Sequence, residues 1–351
     1  MLNVFPTKAV QLSMLKRDPN LDFLRVATAL AVVLLHVSAV VVLNRPDVSS
    51  PGWWIANLAN ALTRWSVPVF VMISGALLRS GGSHIEPMKF YRGRALRLIA
   101  PLIFWTVFYV AIQAYIDGGL DLIALSKRLI LGTPYFHLWY LYMIVGLYLV
   151  APFLRMFVQA SSRSALVLIY LITFSLSSLE TILASLFKGG GNTFLSLFLP
   201  YVSYFVCGYL LHTGPIPSIC RQAAFLTIFL GVLIALSVGA FYPFMGPKSW
   251  AVMYSNFNPL VILMSLAFFQ FGRGFRITSP RVRMTIHWFA PLTLGIYLIH
   301  PFWLDRLASI GLDGFTLHPL LGLPLTFCTV VSLSTLSIAL LSQIPWVKST
   351  V

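Results

Sequence analysis

The feature that most constrains this chain is a series of about ten long apolar stretches separated by short connecting segments. Each stretch is long enough to cross about 30 Å of hydrocarbon as a helix, at about 1.5 Å of rise per residue. The connecting segments contain residues that end helices, such as the glycines of KGGGN after the fifth stretch. The pattern therefore predicts an all-α, polytopic membrane helix bundle. The predicted spans are residues 22–43, 57–78, 98–116, 136–154, 164–186, 194–212, 223–242, 258–272, 287–307 and 320–343.

Composition excludes the main alternatives to a membrane bundle. Of the 351 residues, 58% are hydrophobic and only 9% are charged, whereas a soluble domain has about a quarter of its residues charged. The net charge of +15 raises the question of a nucleic-acid partner, but the cations stand in short clusters between apolar stretches. We therefore expect membrane lipids as partners, and no nucleic acid. The three cysteines form no CxxC pair, so that neither a disulfide framework nor a metal site is expected.

The distribution of lysine and arginine predicts how the bundle is oriented, because cytoplasmic loops carry the excess of these cations. Most of the 24 cations fall on one side when the N-terminus is placed in the cytoplasm. The smaller external set includes Arg64 and Lys248. An even number of spans places both termini in the cytoplasm. We expect a cytoplasmic segment over residues 1–21, one transmembrane bundle over 22–343 and a cytoplasmic tail over 344–351.

The first predicted helix carries an unusual set of ionisable residues. Asp22 and Arg25 are three residues apart and share a face. His36 lies about 16 Å deeper on nearly the same face. Ionisable groups inside a membrane cost a few kcal/mol, which makes each one a functional candidate. The three residues either line a passage from the cytoplasm into the bilayer, or the charged pair is interfacial and His36 only bonds a neighbouring helix.

Further motifs follow in a consistent order and spacing from about Asp22 to Pro301. The motifs are Arg25 and His36 at their spacing, Phe70-Val-Met-Ile-Ser74-Gly75, Arg94-Ala-Leu-Arg97 before Pro101, Leu138-Trp139-Tyr140-Leu141, Tyr204-Phe205-Val206-Cys207-Gly208-Tyr209-Leu210 and Gly295-Ile-Tyr297-Leu-Ile-His300-Pro301. Together they resemble the acyltransferase-3 family of integral membrane acyltransferases. Within that family, the length and the lack of a soluble extension resemble the enterobacterial common antigen O-acetyltransferase type. One departure is Ile296, where some members carry a serine before Tyr297.

The resemblance implies an enzyme that transfers an acyl group, usually acetyl, from cytoplasmic acetyl-CoA to a hydroxyl of a surface or lipid-linked carbohydrate. It also implies a multi-pass protein of the bacterial inner membrane. His36 suits this chemistry as a general base or as a covalent acyl carrier, with Asp22 or Arg25 organising the site around it. The alternative function is a proton-coupled secondary transporter or exporter of a small organic molecule, because intramembrane ionisable residues also suit proton coupling.

Acetyl-CoA brings phosphates, which require cations on the cytoplasmic side. Arg92, Arg94 and Arg97 precede the third span, and the last two share a helical face from which guanidinium groups can fork to phosphate. The same cluster also satisfies the topology rule, and this alternative stays open. Ser74, next to Gly75, serves either the cofactor or close helix packing. A second cluster is interpreted as topological: Arg273, Arg276, Arg281 and Arg283.

Four residues in the outer half of the bundle are candidates for binding the acceptor. Trp139 either stacks on a sugar or belongs to an aromatic belt at the interface. His300 stands in one motif with Tyr297 and precedes Pro301, which should free a backbone carbonyl beside a buried site. A purely structural role for His300 is the alternative. Glu180 is an isolated acid that is either neutral, hydrogen-bonded to a serine or part of the acceptor site.

Overall fold

The computed structural model describes residues 17–44, 47–77, 87–187, 193–215, 220–314, 318–345, 347–348 and 350, without the side chains of residues 44, 87, 89, 93–97 and 183–187. Every regular element within these ranges is helical, which confirms the all-α membrane bundle. The helices are α1 (Pro19–Asn44), α2 (Pro51–Leu62), α3 (Ser66–Ala76), α4 (Pro87–Ile116), α5 (Leu122–Ile130), α6 (Trp139–Ala160), α7 (Arg163–Phe187), α8 (Val202–Thr213), α9 (Cys220–Met245), α10 (Lys248–Met253), α11 (Pro259–Gly274), α12 (Pro280–Phe289), α13 (Thr293–Ser309) and α14 (Pro319–Leu341).

Each of the ten predicted spans overlaps a helix, and 7 helical segments of the described chain are long and apolar enough to cross a membrane. The second predicted span differs, because it is divided into α2 and α3 around residues 63–65. Pro68 has no N–H to bond the carbonyl of Arg64, so a continuous helix would lose a hydrogen bond here. The sixth differs too, since turns occupy residues 193–201 before α8 begins.

Helices α3 and α8 pack backbone against backbone. A Cβ atom added to Gly75 would lie 1.8 Å from the carbonyl oxygen of Phe205, and one added to Gly208 would lie 2.0 Å from that of Met72. Only glycine permits such an approach, a common device between membrane helices. Gly75 therefore serves packing, while the adjacent Ser74 hydroxyl donates to the carbonyl oxygen of Phe70 at 3.2 Å.

Helix α1 lies at the centre of the bundle, where it contacts α2, α3, α11, α12, α13 and α14. Half of its apolar window is buried, compared with 17% for the windows of α4 and α7. The outer helices expose large apolar side chains such as Ile103, Leu176 and Phe225, as expected of surfaces that face lipid. The centre of the bundle is therefore where polar side chains can be shielded and paired.

Candidate active site

A pair of histidines joins α1 to α13 in the interior of the bundle. His36 Nδ1 and His300 Nε2 are 2.7 Å apart, and the two rings are nearly parallel, with centroids separated by 5.0 Å. His300 is completely buried, whereas His36 is partly accessible. The ring of Phe136 meets His36 edge-on at 5.2 Å. The pair thus has one ring held inside the protein and one ring that a ligand can reach.

The hydrogen bonds of the pair determine which nitrogen of His36 is free. His300 Nδ1 lies 2.7 Å from the carbonyl oxygen of Tyr297. Because a carbonyl only accepts, this Nδ1 carries the proton, and in the neutral ring His300 Nε2 is an acceptor. His36 Nδ1 must then donate to it. The remaining nitrogen, His36 Nε2, carries an unprotonated lone pair that can accept a proton.

Pro301 explains why the Tyr297 carbonyl is available. A proline has no N–H, so the carbonyl four residues earlier has no donor within the helix. The side chain of His300 occupies this vacancy with its Nδ1–H. The motif that contains Tyr297, His300 and Pro301 therefore fixes the orientation of the His300 ring within one helix. The hydrogen bond between the two histidines then orients His36.

A third histidine, His137, lies beside the pair just before α6. Its Nε2 is 3.2 Å from the carbonyl oxygen of Leu298, which also accepts from the Tyr109 hydroxyl at 2.7 Å. The Tyr297 hydroxyl donates to the backbone carbonyl of His137. His137 Nδ1 is buried with no hydrogen-bond partner among the described residues. These contacts anchor the backbone of α13 on either side of the site.

Arg64 is a cation connected to the histidine pair through Asn60, and the sequence analysis did not place it at the site. It stands between α2 and α3, its guanidinium 3.9 Å above the ring of Tyr254 and donating to Asn60 Oδ1. Asn60 in turn donates to the carbonyl oxygen of Leu35 at 2.9 Å, next to His36. The Arg64 charge acts electrostatically on His36. Its Nε–H is buried and has no partner within the described part of the chain, which leaves a donor for an anionic group.

The sequence analysis counted Arg64 among the external cations, and the structure packs its guanidinium against Tyr254 and Asn60. The sequence did contain a sign of this position. Asn60 and Arg64 are polar residues inside the predicted span of residues 57–78, and because they are four residues apart they share one face of a helix. His137 was also missed, although it directly precedes the Leu138-Trp139 motif. The predicted span of residues 136–154 contains His137, but the helix begins only at Trp139, and no charged or spacing motif marked this histidine.

Tyr135, in the segment between α5 and α6, adds a hydroxyl donor near His137. Its ring stacks on Tyr109 at 4.3 Å and lies 5.7 Å from the ring of His137. Burial, followed by the hydrogen bond to the Asp305 carboxylate, raises the pKa of Tyr135. The hydroxyl therefore keeps its proton and donates to Asp305.

Asp22 and Arg25 pair with each other at the opposite end of α1 from His36. Arg25 Nη1 lies 2.9 Å from Asp22 Oδ1, and the Asp22 side chain is 4% exposed. His287 Nδ1 of α12 lies 4.0 Å from the other carboxylate oxygen. His36 is eleven positions beyond Arg25, which corresponds to about 16 Å of helix. The structure thus shows the charged pair and the histidine on one helix without direct contact.

The other predicted site residues lie away from the histidine pair or outside the described side chains. Trp139 is half-buried and packs on Tyr201, with ring centroids 5.8 Å apart. Glu180 is exposed on α7. Its neighbour Ser178 donates to the carbonyl oxygen of Phe257 at 2.6 Å. Arg92 is exposed at the start of α4, and the side chains of Arg94 and Arg97 lie outside the described residues.

Within the described ranges, no cluster of three or more histidine, cysteine, aspartate or glutamate side chains could hold a metal ion. The site is therefore defined by its imidazoles, by the nearby guanidinium of Arg64 and by the aromatic rings around them.

Comparison with known proteins identifies the family. The family model of an acyltransferase domain, acyltransferase type 3, matches residues 18–341. This match covers nearly the whole bundle, from the start of α1 to the end of α14. Searches among curated proteins and among solved structures found no match. The chain is therefore a multi-pass integral membrane acyltransferase that belongs to the acyltransferase-3 family.

Proposed function

We propose that this protein is an O-acetyltransferase of the bacterial inner membrane, which moves acetyl from cytoplasmic acetyl-CoA to a hydroxyl of a surface or lipid-linked carbohydrate. The observation that carries the proposal is the His36–His300 pair, because it leaves His36 Nε2 free to take a proton. Family membership supports an acyltransferase and lends no support to the transporter alternative. The enterobacterial common antigen is the acceptor that the narrower resemblance favours.

Direct transfer would proceed with His36 as general base. The acceptor hydroxyl gives its proton to His36 Nε2 while its oxygen attacks the carbonyl carbon of the thioester. The resulting imidazolium is stabilised by its hydrogen bond to His300 Nε2. When the tetrahedral intermediate collapses, the carbon–sulfur bond breaks and the imidazolium returns the proton to the departing thiolate. The products are the O-acetyl ester and free coenzyme A.

Arg64 suits the stabilisation of the oxyanion in this reaction. The tetrahedral intermediate carries a negative oxygen, and a fixed donor in a water-poor site stabilises such a charge strongly. The guanidinium is held by Tyr254 and Asn60 before any substrate arrives, and its buried Nε–H is unused among the described residues. In a second route, His36 Nε2 itself attacks the carbonyl carbon of the thioester, the carbon–sulfur bond breaks and coenzyme A leaves. The resulting acetyl-histidine then gives its acetyl group to the acceptor hydroxyl, and this route uses the same two residues, His36 and Arg64.

The proposal assigns the carbohydrate to the side of the site that holds His300, Tyr297 and Trp139. Aromatic rings there suit stacking on a sugar, and the Tyr297 hydroxyl donates to the backbone carbonyl of His137. The assignment of Glu180 to the acceptor is weakened by its position on the outer face of α7. The donor phosphates are assigned to the end of the bundle where α1 begins, which the topology places in the cytoplasm.

The test is a transfer assay with the purified full-length protein in proteoliposomes. Radiolabelled acetyl-CoA is supplied with lipid-linked glycans from cells that lack the protein, and the products are identified by mass spectrometry. His36→Ala should lower the transfer rate by about 10²–10⁴-fold, the contribution of a general base. His318→Gln, an exposed histidine at the start of α14, serves as the matched control and should leave the rate unchanged.

Two outcomes would contradict the proposal. Full activity of the His36→Ala protein would remove His36 as base and as acyl carrier. If no glycan gains an acetyl group while the protein moves a small organic molecule with protons, the transporter alternative is correct. Label that stays on the protein in the absence of acceptor, and is lost in His36→Ala, would favour the acetyl-histidine route.

A further inference from the structure

A cavity of about 1020 Å³ opens at the end of the bundle where α1 begins. Its wall includes the first residues of α1, the first residue of α9 and the segment that joins α11 to α12. The volume is at the upper end of the range of small-molecule sites, about 300–1,000 Å³. The lining residues are Pro19, Asn20, Cys220, Arg273, Gly274, Phe275, Arg276, Ile277, Thr278 and Arg283.

Among the described residues, three arginines and no carboxylate contribute to this lining. Arg273 is buried and organises the wall, since its guanidinium donates to the carbonyl oxygen of Gly214 at 2.9 Å and to Gln270 at 2.9 Å. Arg276 and Arg283 are exposed, and one guanidinium nitrogen of Arg283 donates to the carbonyl oxygen of Ile277 at 3.1 Å. These two groups therefore offer further N–H donors to a ligand.

The charges around the cavity remain positive when the neighbouring residues are included. Asp18 acts on Arg273 with an opposing charge, but Arg163 acts on the same guanidinium with a like charge. The wall itself is held in place, because Asn20 Nδ2 of α1 donates to the carbonyl oxygen of Arg273 at 2.6 Å. A cavity with this excess of fixed guanidinium groups favours a ligand that carries several phosphates.

We propose that this cavity binds the phosphorylated nucleotide end of coenzyme A, an assignment that rests on the proposed function. Asn20 lies in its wall, and His36 follows on the same helix after about 24 Å. Coenzyme A carries its phosphates and its thioester at opposite ends of a long flexible chain, so one molecule can engage both places. Phe275 and Ile277 supply apolar surface beside the arginines, as a ligand with a base and phosphates requires.

This assignment changes the interpretation of the second arginine cluster, which the sequence analysis attributed to topology. All four arginines of this cluster satisfy the topology rule equally, but they occupy different positions relative to the cavity. Arg276 and Arg283 line the cavity, whereas Arg281 does not, although it is also exposed. The difference between neighbours in the same segment provides a matched control within the cluster.

The test measures binding of coenzyme A, without an acyl group, to the full-length protein in nanodiscs of neutral phosphatidylcholine by titration calorimetry. The double variant Arg276→Gln/Arg283→Gln should raise the Kd about tenfold to a hundredfold, since each loses hydrogen bonds to charged groups. Arg281→Gln should bind as the unaltered protein does. Pantetheine, which lacks the phosphates, should not compete, whereas adenosine 3′,5′-bisphosphate should. Thermal unfolding confirms that each variant is folded.

Equal affinity of the double variant and the unaltered protein for coenzyme A would overturn the proposal. Anionic lipid headgroups present the same phosphate chemistry, and nanodiscs that contain phosphatidylglycerol separate this source. If native mass spectrometry shows that the double variant loses bound phosphatidylglycerol while its Kd for coenzyme A is unchanged, the cavity is a lipid site.

The binding result is independent of acetyl transfer. Binding that requires Arg276 and Arg283, in a protein that transfers no acetyl group, would keep the site and contradict the proposed function. Transfer with an unchanged KM for acetyl-CoA in the double variant would keep the function and contradict the site.

Discussion

Helices α13 and α7 each carry one intramembrane ionisable residue that the sequence marked as functional, yet the structure treats them differently. His300 of α13 is completely buried and bonded to His36, whereas Glu180 of α7 is exposed. The window of α7 has a mean hydropathy of 1.8 and is 17% buried, while the segment Pro280–Ser309 has 1.2 and is 39% buried. In a bilayer the more apolar helix can lie outside, since lipid is its solvent.

This comparison predicts that the polar side chains of the central helices carry catalysis. After substitution of His36, substitution of Arg64 should lower kcat the most. Arg64→Gln should lower kcat by about 10²–10³-fold, the loss that follows removal of one oxyanion donor. The KM for acetyl-CoA should change little, because the oxyanion exists only in the transition state. Lys248→Gln, an exposed cation that the sequence placed in the same external set, is the control. Equal kinetics of the two variants would return Arg64 to a structural role.

His300 should act through His36, which predicts a smaller effect. His300→Phe keeps an aromatic ring but removes both hydrogen bonds, and kcat should fall about tenfold to a hundredfold, as for other groups that orient a reactive histidine. His300→Gln should recover part of the loss, since its carbonyl oxygen can accept from His36 Nδ1. KM should stay near its original value in both. If kcat falls equally in the two variants, the hydrogen bond to His36 is not the cause, and His300 matters only for the volume of its imidazole ring.

The contact between α3 and α8 allows a stability test within the centre of the bundle. Gly75→Ala places a Cβ atom 1.8 Å from the Phe205 carbonyl oxygen, so the helices must separate. Overpacking of this kind costs about 1–3 kcal/mol, which thermal unfolding in detergent measures as a lower Tm. Gly119→Ala, whose Cβ would meet nothing within 4 Å, controls for the substitution itself. An unchanged Tm for Gly75→Ala would refute the backbone contact.

The smallest effect is expected at the outer helix. Glu180→Gln should change kcat/KM less than twofold and leave Tm nearly unchanged, because the side chain is exposed on an outer helix. The same transfer assay measures this variant beside His300→Phe. A loss of activity in Glu180→Gln as large as that in His300→Phe would abolish the distinction between the central and the outer helices.

Much of the fold could be predicted because hydropathy acts locally. A stretch of apolar residues long enough to span hydrocarbon must satisfy its own backbone hydrogen bonds, and a helix does so within the segment. For that reason α1, α9 and α14 match their predicted spans closely. The break between α2 and α3 was missed, since it depends on a proline three residues inside the following helix and on polar contacts made with other parts of the chain.

The site was predicted in part for a related reason. His36, His300 and Pro301 stand in motifs with fixed spacing, so their importance was readable, and the freed carbonyl of Tyr297 follows from proline chemistry alone. Arg64 and the partner of each imidazole were not readable. Their roles depend on how helices rotate and pack against one another, which hydropathy does not encode.

The amino-acid sequence by itself determined a membrane bundle, its family and the helices that carry the imidazoles, because these follow from apolar length and from motifs in order. Only the tertiary structure decided that His36 Nε2 is the free nitrogen, that the Arg64 guanidinium packs on Tyr254 and Asn60 and that Glu180 is exposed. The physical reason is that proton positions and charge contacts are set by distances between helices far apart in the chain, and such distances exist only once the bundle is packed.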